Sequence, residues 1–527
     1  MNKRDKFINR KGAKAQRREG KCRGLLVLLM LIVGLSALHA QSNQQKNQNK
    51  VLIVVFDGLR PDYITQELMP NVFAFSREGC YAKEHHSVFP TVTRVNGASY
   101  ASGSYPATHG ILGNTVYFPE IDPKQGLNTG NYEDLNKISE ATHGQLLTAI
   151  SIGEVLQKAG EKLMIFSSGS TGQALMQNHK ISGGAVVNPG LILPASLKDS
   201  LTKMIGPIPA DTIPNTTQHK WVTDALISYG LSNNGARVNA IWYSDPDGAA
   251  HSDGIGSPAA MQSIRQVDAE FGRIMKALKQ KNMLKHTDVI ITADHGFVTY
   301  GGNVELSDFL INQKLKQDKD SEDVLVVDGA IYVKDHNLAL MQKIVTALQS
   351  QEWVGAIFTK GDHWGALTGI INGTLSFESI HWDHPSRAAD ILVDKNWDER
   401  KNTYGYAGTS FSKGVAGHGG LSPYEVHIAL LAKGPNFKKG FVSELATSNV
   451  DIVPTILAIS GIPIPASMNG RVIDELLRKK NNTKAPVSKK ETVTTSATFP
   501  GGSYTVTLER SVVGVYKYVD YARVVRK

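Results

Sequence analysis

Three short runs dominated by apolar residues each end in an acid. Val51 to Phe56 runs into Asp57, Val238 to Ser244 into Asp245-Pro-Asp247, and Asp288 to Ala293 into Asp294. Apolar runs of this length read as strands buried on both faces, as in a parallel sheet covered by helices. In an open sheet of that kind, ligands bind beyond the carboxyl ends of the strands. Acids at three strand ends can therefore converge on one place. A single Asp after a strand is more often a turn or cap residue; three, two of them with a histidine close by, carry more weight.

The rest of the chain fits such a sheet. Helices are predicted over Met69–Glu78, Ser151–Ala159, Trp221–Tyr229 and Ser257–Lys279, and a further strand over Lys162–Ser167. This alternation gives an α/β fold, a mainly parallel sheet with helices on both faces. From Val298 to Ala416 the pattern loosens into a smaller α+β insert, with short strands at Val324–Val327 and Ala330–Val333 and a helix near Leu338–Leu348. The strand His427–Ala432 and the helix Asp451–Ser460 return to the core. The expected division is a leader (1–40), a Gln/Asn-rich linker (41–50), a core in two parts (51–297 and 417–478), the insert (298–416), and a C-terminal region (479–527). In that last region 479–500 reads as Lys/Thr/Ser-rich linker and Tyr504–Val525 as a terminal hairpin.

The net charge of +9 does not indicate a nucleic-acid partner. Residues 1–40 hold ten Lys/Arg against two Asp/Glu, which leaves a net of only +1 for the remainder. The basic start, the apolar run Gly24–Ala37 and the small-residue end at Ala40 form the three-part pattern of a secretory signal. The run is short for a membrane span, so membrane attachment is expected only if the leader is uncleaved. Of the two cysteines, Cys22 leaves with the leader and Cys80 remains alone, so the mature chain has no disulfide. Export without disulfides points to a bacterial periplasmic or secreted protein.

Asp247 and His251 stand four residues apart, Asp294 and His295 are adjacent, and His418 lies between glycines. Carboxylate and imidazole are the ligands zinc takes when thiolates are absent. With Asp57, six such groups are too many for one tetrahedral ion and suit two. The stretch Val88–Asn114 adds Thr93 where a loop meets a helix rich in small residues. That end of a helix favours an anionic oxygen; taken alone, it is equally a Thr-capped helix after a loop.

In this order, Phe56-Asp57-Gly58, the Thr93 stretch through His109-Gly110 and Asn114, Asp245-Pro-Asp247 with His251, Thr292-Ala-Asp294-His295-Gly296 and Gly417-His418-Gly419 resemble the alkaline-phosphatase superfamily. Within it they resemble the type I phosphodiesterase/nucleotide pyrophosphatase family, from about Val51 to Leu477. The resemblance implies an alkaline-phosphatase-like fold and two zinc ions per chain. It implies one zinc on Asp247, His251 and His418, and a second on Asp57, Asp294 and His295 that also touches Thr93. Thr93 matches the nucleophile and Asn114 the donor to a phosphoryl oxygen; Thr91 competes as nucleophile, but the spacing to Asn96 and Asn114 favours Thr93. The implied reaction is hydrolysis of phosphodiester or nucleotide pyrophosphate bonds in a small substrate through a phospho-threonine, with no polymeric nucleic acid as partner. Arg94-Val95 departs from the aromatic residue and Pro usual after the nucleophile. Arg94 can reach a phosphate bidentately, which keeps an alkaline phosphomonoesterase on the same site as the alternative. The sulfatase motif is missing around Thr93. An alternative of another class is a non-catalytic exported binding protein stabilised by its metals. His85-His86 read as surface or supporting residues, and His381-Trp-Asp-His384 as a structural loop that could line the substrate mouth.

Overall fold

Alternate residues of the first strand are buried in opposite directions. In β1 (Lys50–Phe56), Leu52, Val54 and Phe56 enter one hydrophobic cluster, while Val51, Ile53 and Val55 enter another. A strand covered on both faces has no polar side to show, hence its continuous apolar sequence. The computed structural model describes residues 49–232, 235–478 and 487–527. The leader, nearly all of the 41–50 linker and Cys22 lie outside them. Residues 50–527 form one compact unit. No helix among the described residues is long and apolar enough to cross a membrane.

The central sheet has ten strands. Those that build the site are β1, β2 (Cys80–His86), β3 (Leu163–Ser167), β4 (Val238–Tyr243), β5 (Thr287–Thr292) and β6 (His427–Lys433). β1 lies between β4 and β5 and runs parallel to both, with Phe56 opposite Tyr243 and Val55 opposite Thr292. β3 continues the parallel centre beyond β4, and β6 pairs antiparallel with β5 and β2. The sheet is thus mixed with a parallel middle. Helices Pro70–Glu78, Thr216–Ala225 and Pro258–Gln280 cover one face; Ile152–Lys158 and Ile452–Ile459 cover the other. The helix expected over Trp221–Tyr229 starts earlier, at Thr216, and loosens into a π turn over Leu226–Gly230.

Two further sheets come from the insert. Val324–Val327, Ala330–Val333, Ile391–Lys395, Val354–Thr359 and Leu375–Ser376 form a five-stranded sheet. A four-stranded sheet pairs Val298–Gly302 with Ala407–Lys413 and with Ala416–Gly417, which sets His418 at the mouth of the core. The C-terminal region differs from expectation: Ser488–Phe499, read as linker, is the first strand of a three-stranded sheet with Gly502–Val513 and Tyr516–Arg526. Tyr504, Val506, Leu508 and Val519 of this sheet share a hydrophobic cluster with the insert. It also reaches the core, where Ala522 N–H donates to Leu421 O at 3.1 Å and Tyr518 Oη donates to Asp451 Oδ2 at 2.9 Å.

Candidate active site

Because β1, β4 and β5 are adjacent and parallel, the residues after them leave the sheet side by side. Asp57 follows β1 and Asp294 comes two residues after β5. Asp247 opens helix α1 (Asp247–Asp253), with His251 one turn on. Gly58 has φ +71°, and a Cβ there would lie 3.0 Å from the Phe297 ring and 3.2 Å from Asp247 Cβ. Only glycine makes this turn, and the turn aims its N–H at Asp294 Oδ1, 3.0 Å away.

The three acids share one pattern with the three histidines: polar atoms meet in the middle and are tied back on the outside. His251 Nε2 and His418 Nε2 lie 3.2 and 3.1 Å from Asp247 Oδ1. His295 Nε2 lies 3.0 Å from Asp294 Oδ2 and 3.4 Å from Asp57 Oδ1. Asp57 Oδ1, Asp247 Oδ1 and Asp294 Oδ2 are buried without a hydrogen-bond partner. On the outer side, Trp242 Nε1 donates to Asp57 Oδ2 at 3.0 Å. Each imidazole Nδ1 meets a backbone carbonyl: Ala416 at 2.9 Å for His251, Gly296 at 3.0 Å for His295 and Thr91 at 2.8 Å for His418. Those carbonyls place the proton on Nδ1 and turn the Nε2 lone pair inward, the arrangement of metal-ligating histidine.

The donor set fits cations. Asp247, His251 and His418 offer ligand atoms within 4.8 Å of one another, as do Asp57, Asp247 and His295, so Asp247 adjoins both groups. Burial lifts the Asp57 carboxyl well above the usual range, and the charges of Asp294 and Asp247 push the same way. Burial also works against Asp247, but the His251 and His418 imidazoles outweigh it and hold that carboxyl well below its usual value. His418 is depressed to about 4 by burial and by His295, whose ring stacks on it with centroids 3.4 Å apart. Carboxylates this crowded ionise together only beside a compensating positive charge.

Thr93 is the first residue of helix α2 (Thr93–Ser102) and is buried. The Thr93 hydroxyl donates to His295 Nε2 at 3.2 Å. Asn114 Oδ1 accepts the Arg94 N–H at 3.1 Å, which leaves the Asn114 amide N–H₂ to face outward. That helix N–H therefore orients Asn114 rather than a ligand. Thr91, the competing nucleophile, donates to Gly420 O at 2.8 Å and accepts from Gly419 N–H at 3.1 Å. It fastens the His418 loop and is not free to attack.

Other residues take supporting roles. Asp245 accepts from Asn215 N–H and Ala249 N–H at 2.8 and 3.1 Å and so secures the start of α1. His85 and His86 are buried, not at the surface. His85 bonds Asn449, whose amide donates to Asn96 Oδ1 inside α2 at 2.9 Å. His381 bonds Lys517 O, and Trp382 Nε1 donates to Leu112 O while the Trp382 ring lines the cleft. The carbonyls of Ala416, Gly296 and Thr91 have no signature in the residue names; the one available signal was Trp242, a lone ring donor just before a strand end. A cleft of about 460 Å³ opens over the site, lined by Asn114, His251 and His418 from the core and by Tyr332, Val327 and Asp328 from the insert.

Comparison with known proteins shows what the chain is similar to. Human ectonucleotide pyrophosphatase/phosphodiesterase family member 5 is 23% identical over 441 residues, 83% of this chain and 79% of that protein. The Bis(5'-adenosyl)-triphosphatase of Xenopus laevis is 24% identical over 450 residues, covering 83% of this chain and 84% of the relative. Among solved structures, murine ectonucleotide pyrophosphatase/phosphodiesterase 5, in an inactive form in complex with AMP, superposes with a TM-score of 0.58 at 20% identity. That match covers 82% of this chain and all of the murine one, and it shows the shared fold. The family model described as type I phosphodiesterase / nucleotide pyrophosphatase matches residues 51–398. The chain therefore belongs to the type I phosphodiesterase/nucleotide pyrophosphatase family, hydrolases of phosphodiester and pyrophosphate bonds.

Proposed function

We propose that the chain is an exported two-zinc hydrolase that cleaves small phosphodiesters or nucleotide pyrophosphates through a phospho-threonine at Thr93. The observation that carries this reading is the set of orphaned carboxylate oxygens and inward-facing Nε2 atoms gathered beside one hydroxyl. Asp247, His251 and His418 hold one cation; Asp57, Asp294 and His295 hold the other, next to Thr93. Bound there, such a pair supplies the positive charge that makes a hydroxyl nucleophilic at neutral pH and neutralises charge on the leaving oxygen.

The chain's own residues do the rest. The first turn of α2 holds Thr93 Oγ1 beside His295 Nε2. Its attack forms the Oγ1–P bond as the far P–O bond breaks, and the leaving group departs toward the cleft mouth. Water then attacks the phospho-threonine, and Thr93 is restored. Asn114, its Oδ1 anchored by the Arg94 N–H, keeps its amide N–H₂ on a phosphoryl oxygen through both transfers. The cleft volume suits a nucleotide-sized molecule and not a polymer. The basic start and apolar run before Ala40 support export to the periplasm or medium.

Acid quench during turnover of bis-p-nitrophenyl phosphate, followed by peptide mass spectrometry, tests the intermediate. Phosphate on the Thr93 peptide in the wild type, and none in Thr93→Ala, is the expected result. Undiminished turnover by Thr93→Ala would reject the mechanism. Metal analysis of the same preparation is expected to give two zinc ions per chain.

A further inference from the structure

Arg94 follows Thr93 directly, and the residues gathered around Thr93 leave its side chain unbonded. The guanidinium makes no hydrogen bond and no ion pair among the described residues, and Nε is sealed from solvent without a partner. Yet the chain makes room for it. A Cβ on Gly130 would lie 2.9 Å from one terminal guanidinium nitrogen and 3.2 Å from Cζ. The Gly130 loop is tied to Asn114 in turn, because Thr129 N–H and Thr129 Oγ1 both donate to Asn114 O, at 3.0 and 2.7 Å. The Arg94 guanidinium and the Asn114 backbone thus meet one loop, and the Asn114 side chain in turn accepts the Arg94 backbone N–H.

No nearby acid takes this cation. Asp328, at the tip of an insert hairpin, spends Oδ2 on Thr115 N–H at 3.0 Å. Asp57, Asp247 and Asp294 act on Arg94 only from beyond ion-pair distance. Their unpartnered oxygens face the imidazoles instead. A guanidinium withdrawn from water without a partner is costly, and its flat fork matches two unsubstituted phosphate oxygens.

We propose that Arg94 equips this site for a dianionic phosphoryl group, so that phosphate monoesters are substrates alongside diester and pyrophosphate bonds. The proposal rests on the phosphoryl-transfer reading above. A monoester presents three unsubstituted oxygens, enough for the Asn114 amide and both prongs of Arg94. A diester presents two, and its second substituent falls where a prong would bind. A site built to bond an oxygen discriminates against the analogue that lacks it. In the monoester reaction Thr93 Oγ1 bonds to phosphorus and the P–O bond to the alcohol breaks. The alcohol leaves with a proton, and one water releases inorganic phosphate and restores the hydroxyl.

The test compares wild type, Arg94→Ala and Arg94→Lys on p-nitrophenyl phosphate and bis-p-nitrophenyl phosphate, with calorimetric titration of inorganic phosphate as a readout besides turnover. The wild type is expected to hydrolyse both esters. In Arg94→Ala, kcat/KM should fall at least about tenfold more for the monoester than for the diester. Phosphate affinity should fall by at least about tenfold, and Arg94→Lys should recover part of both losses. Equal losses on the two esters, unchanged phosphate affinity in Arg94→Ala, or a wild type that turns over the diester alone would each overturn the proposal. Full diester turnover by Thr93→Ala would instead bring down the underlying mechanism. Thermal melts of both variants separate a binding defect from a folding one.

Discussion

The Thr93 hydroxyl stands 3.2 Å from His295 Nε2, on the side of the imidazole opposite the Nδ1 that meets the Gly296 carbonyl. The hydroxyl therefore reaches the same inward-turned lone pair that Asp57 and Asp294 approach. One point in space is shared by the Thr93 hydroxyl and by the acids of two neighbouring strands. Thr93→Ala should lower kcat/KM by about a thousandfold or more with the melting temperature little changed. Steady-state kinetics and calorimetry check both halves.

Thr91 gives a control in the same loop. Its hydroxyl links Gly420 O and Gly419 N–H, and its carbonyl meets His418 Nδ1. Thr91→Val keeps the carbonyl and loses the hydroxyl links, so the His418 loop loosens. Zinc affinity should drop by about tenfold or more, while kcat at saturating zinc recovers most of its value. Competition with a chromogenic chelator measures the first, and zinc-titrated kinetics the second.

Asn114→Ala removes a donor held in place by the Arg94 N–H. A lost donor to charge that develops in the transition state costs about a hundredfold in kcat, with KM affected less. An equal rise in KM at constant kcat would show instead that Asn114 serves ground-state binding.

Asp520 supplies a pH prediction far from the chemistry. Burial opposes its charge, but the hydrogen bond from His86 Nε2 at 2.8 Å and the charges of His86, Lys490 and His427 overcome it and depress the carboxyl to about 2. The folded value lies below the ordinary 3.8, so this contribution to stability is complete above about pH 4 and is lost as pH falls toward 2. The shift corresponds to about 2 kcal/mol. Asp520→Asn should therefore melt lower than wild type at pH 7, and the gap should shrink as the pH approaches 2. Denaturant titrations at pH 7, 4 and 3 follow the trend.

The parallel centre of the fold and the acids that end its strands could be read from the chain for one physical reason. Strands buried on both faces must be apolar, and the polar residue that ends such a run stands out. Ser488–Phe499 could not be read this way. Of its side chains only Val493 is buried, so nothing in its Lys, Thr and Ser residues marks a strand. Backbone partners stayed hidden as well, because a carbonyl such as that of Thr91 or Ala416 has no signature in a residue name. Arg94 was visible as a departure after the nucleophile. That its guanidinium has no partner among the described residues, and that Gly130 leaves space for it, emerged only from the folded chain.

The C-terminal sheet has one more consequence, which lies in time. Ala522, whose N–H secures Leu421, follows every residue of the candidate site in the chain and so is synthesised after all of them. Every candidate metal-ligating side chain has been synthesised before the strand that steadies the His418 loop exists. The pocket thus waits on the strand Tyr516–Arg526, and a chain interrupted before that strand carries every candidate site residue without this brace.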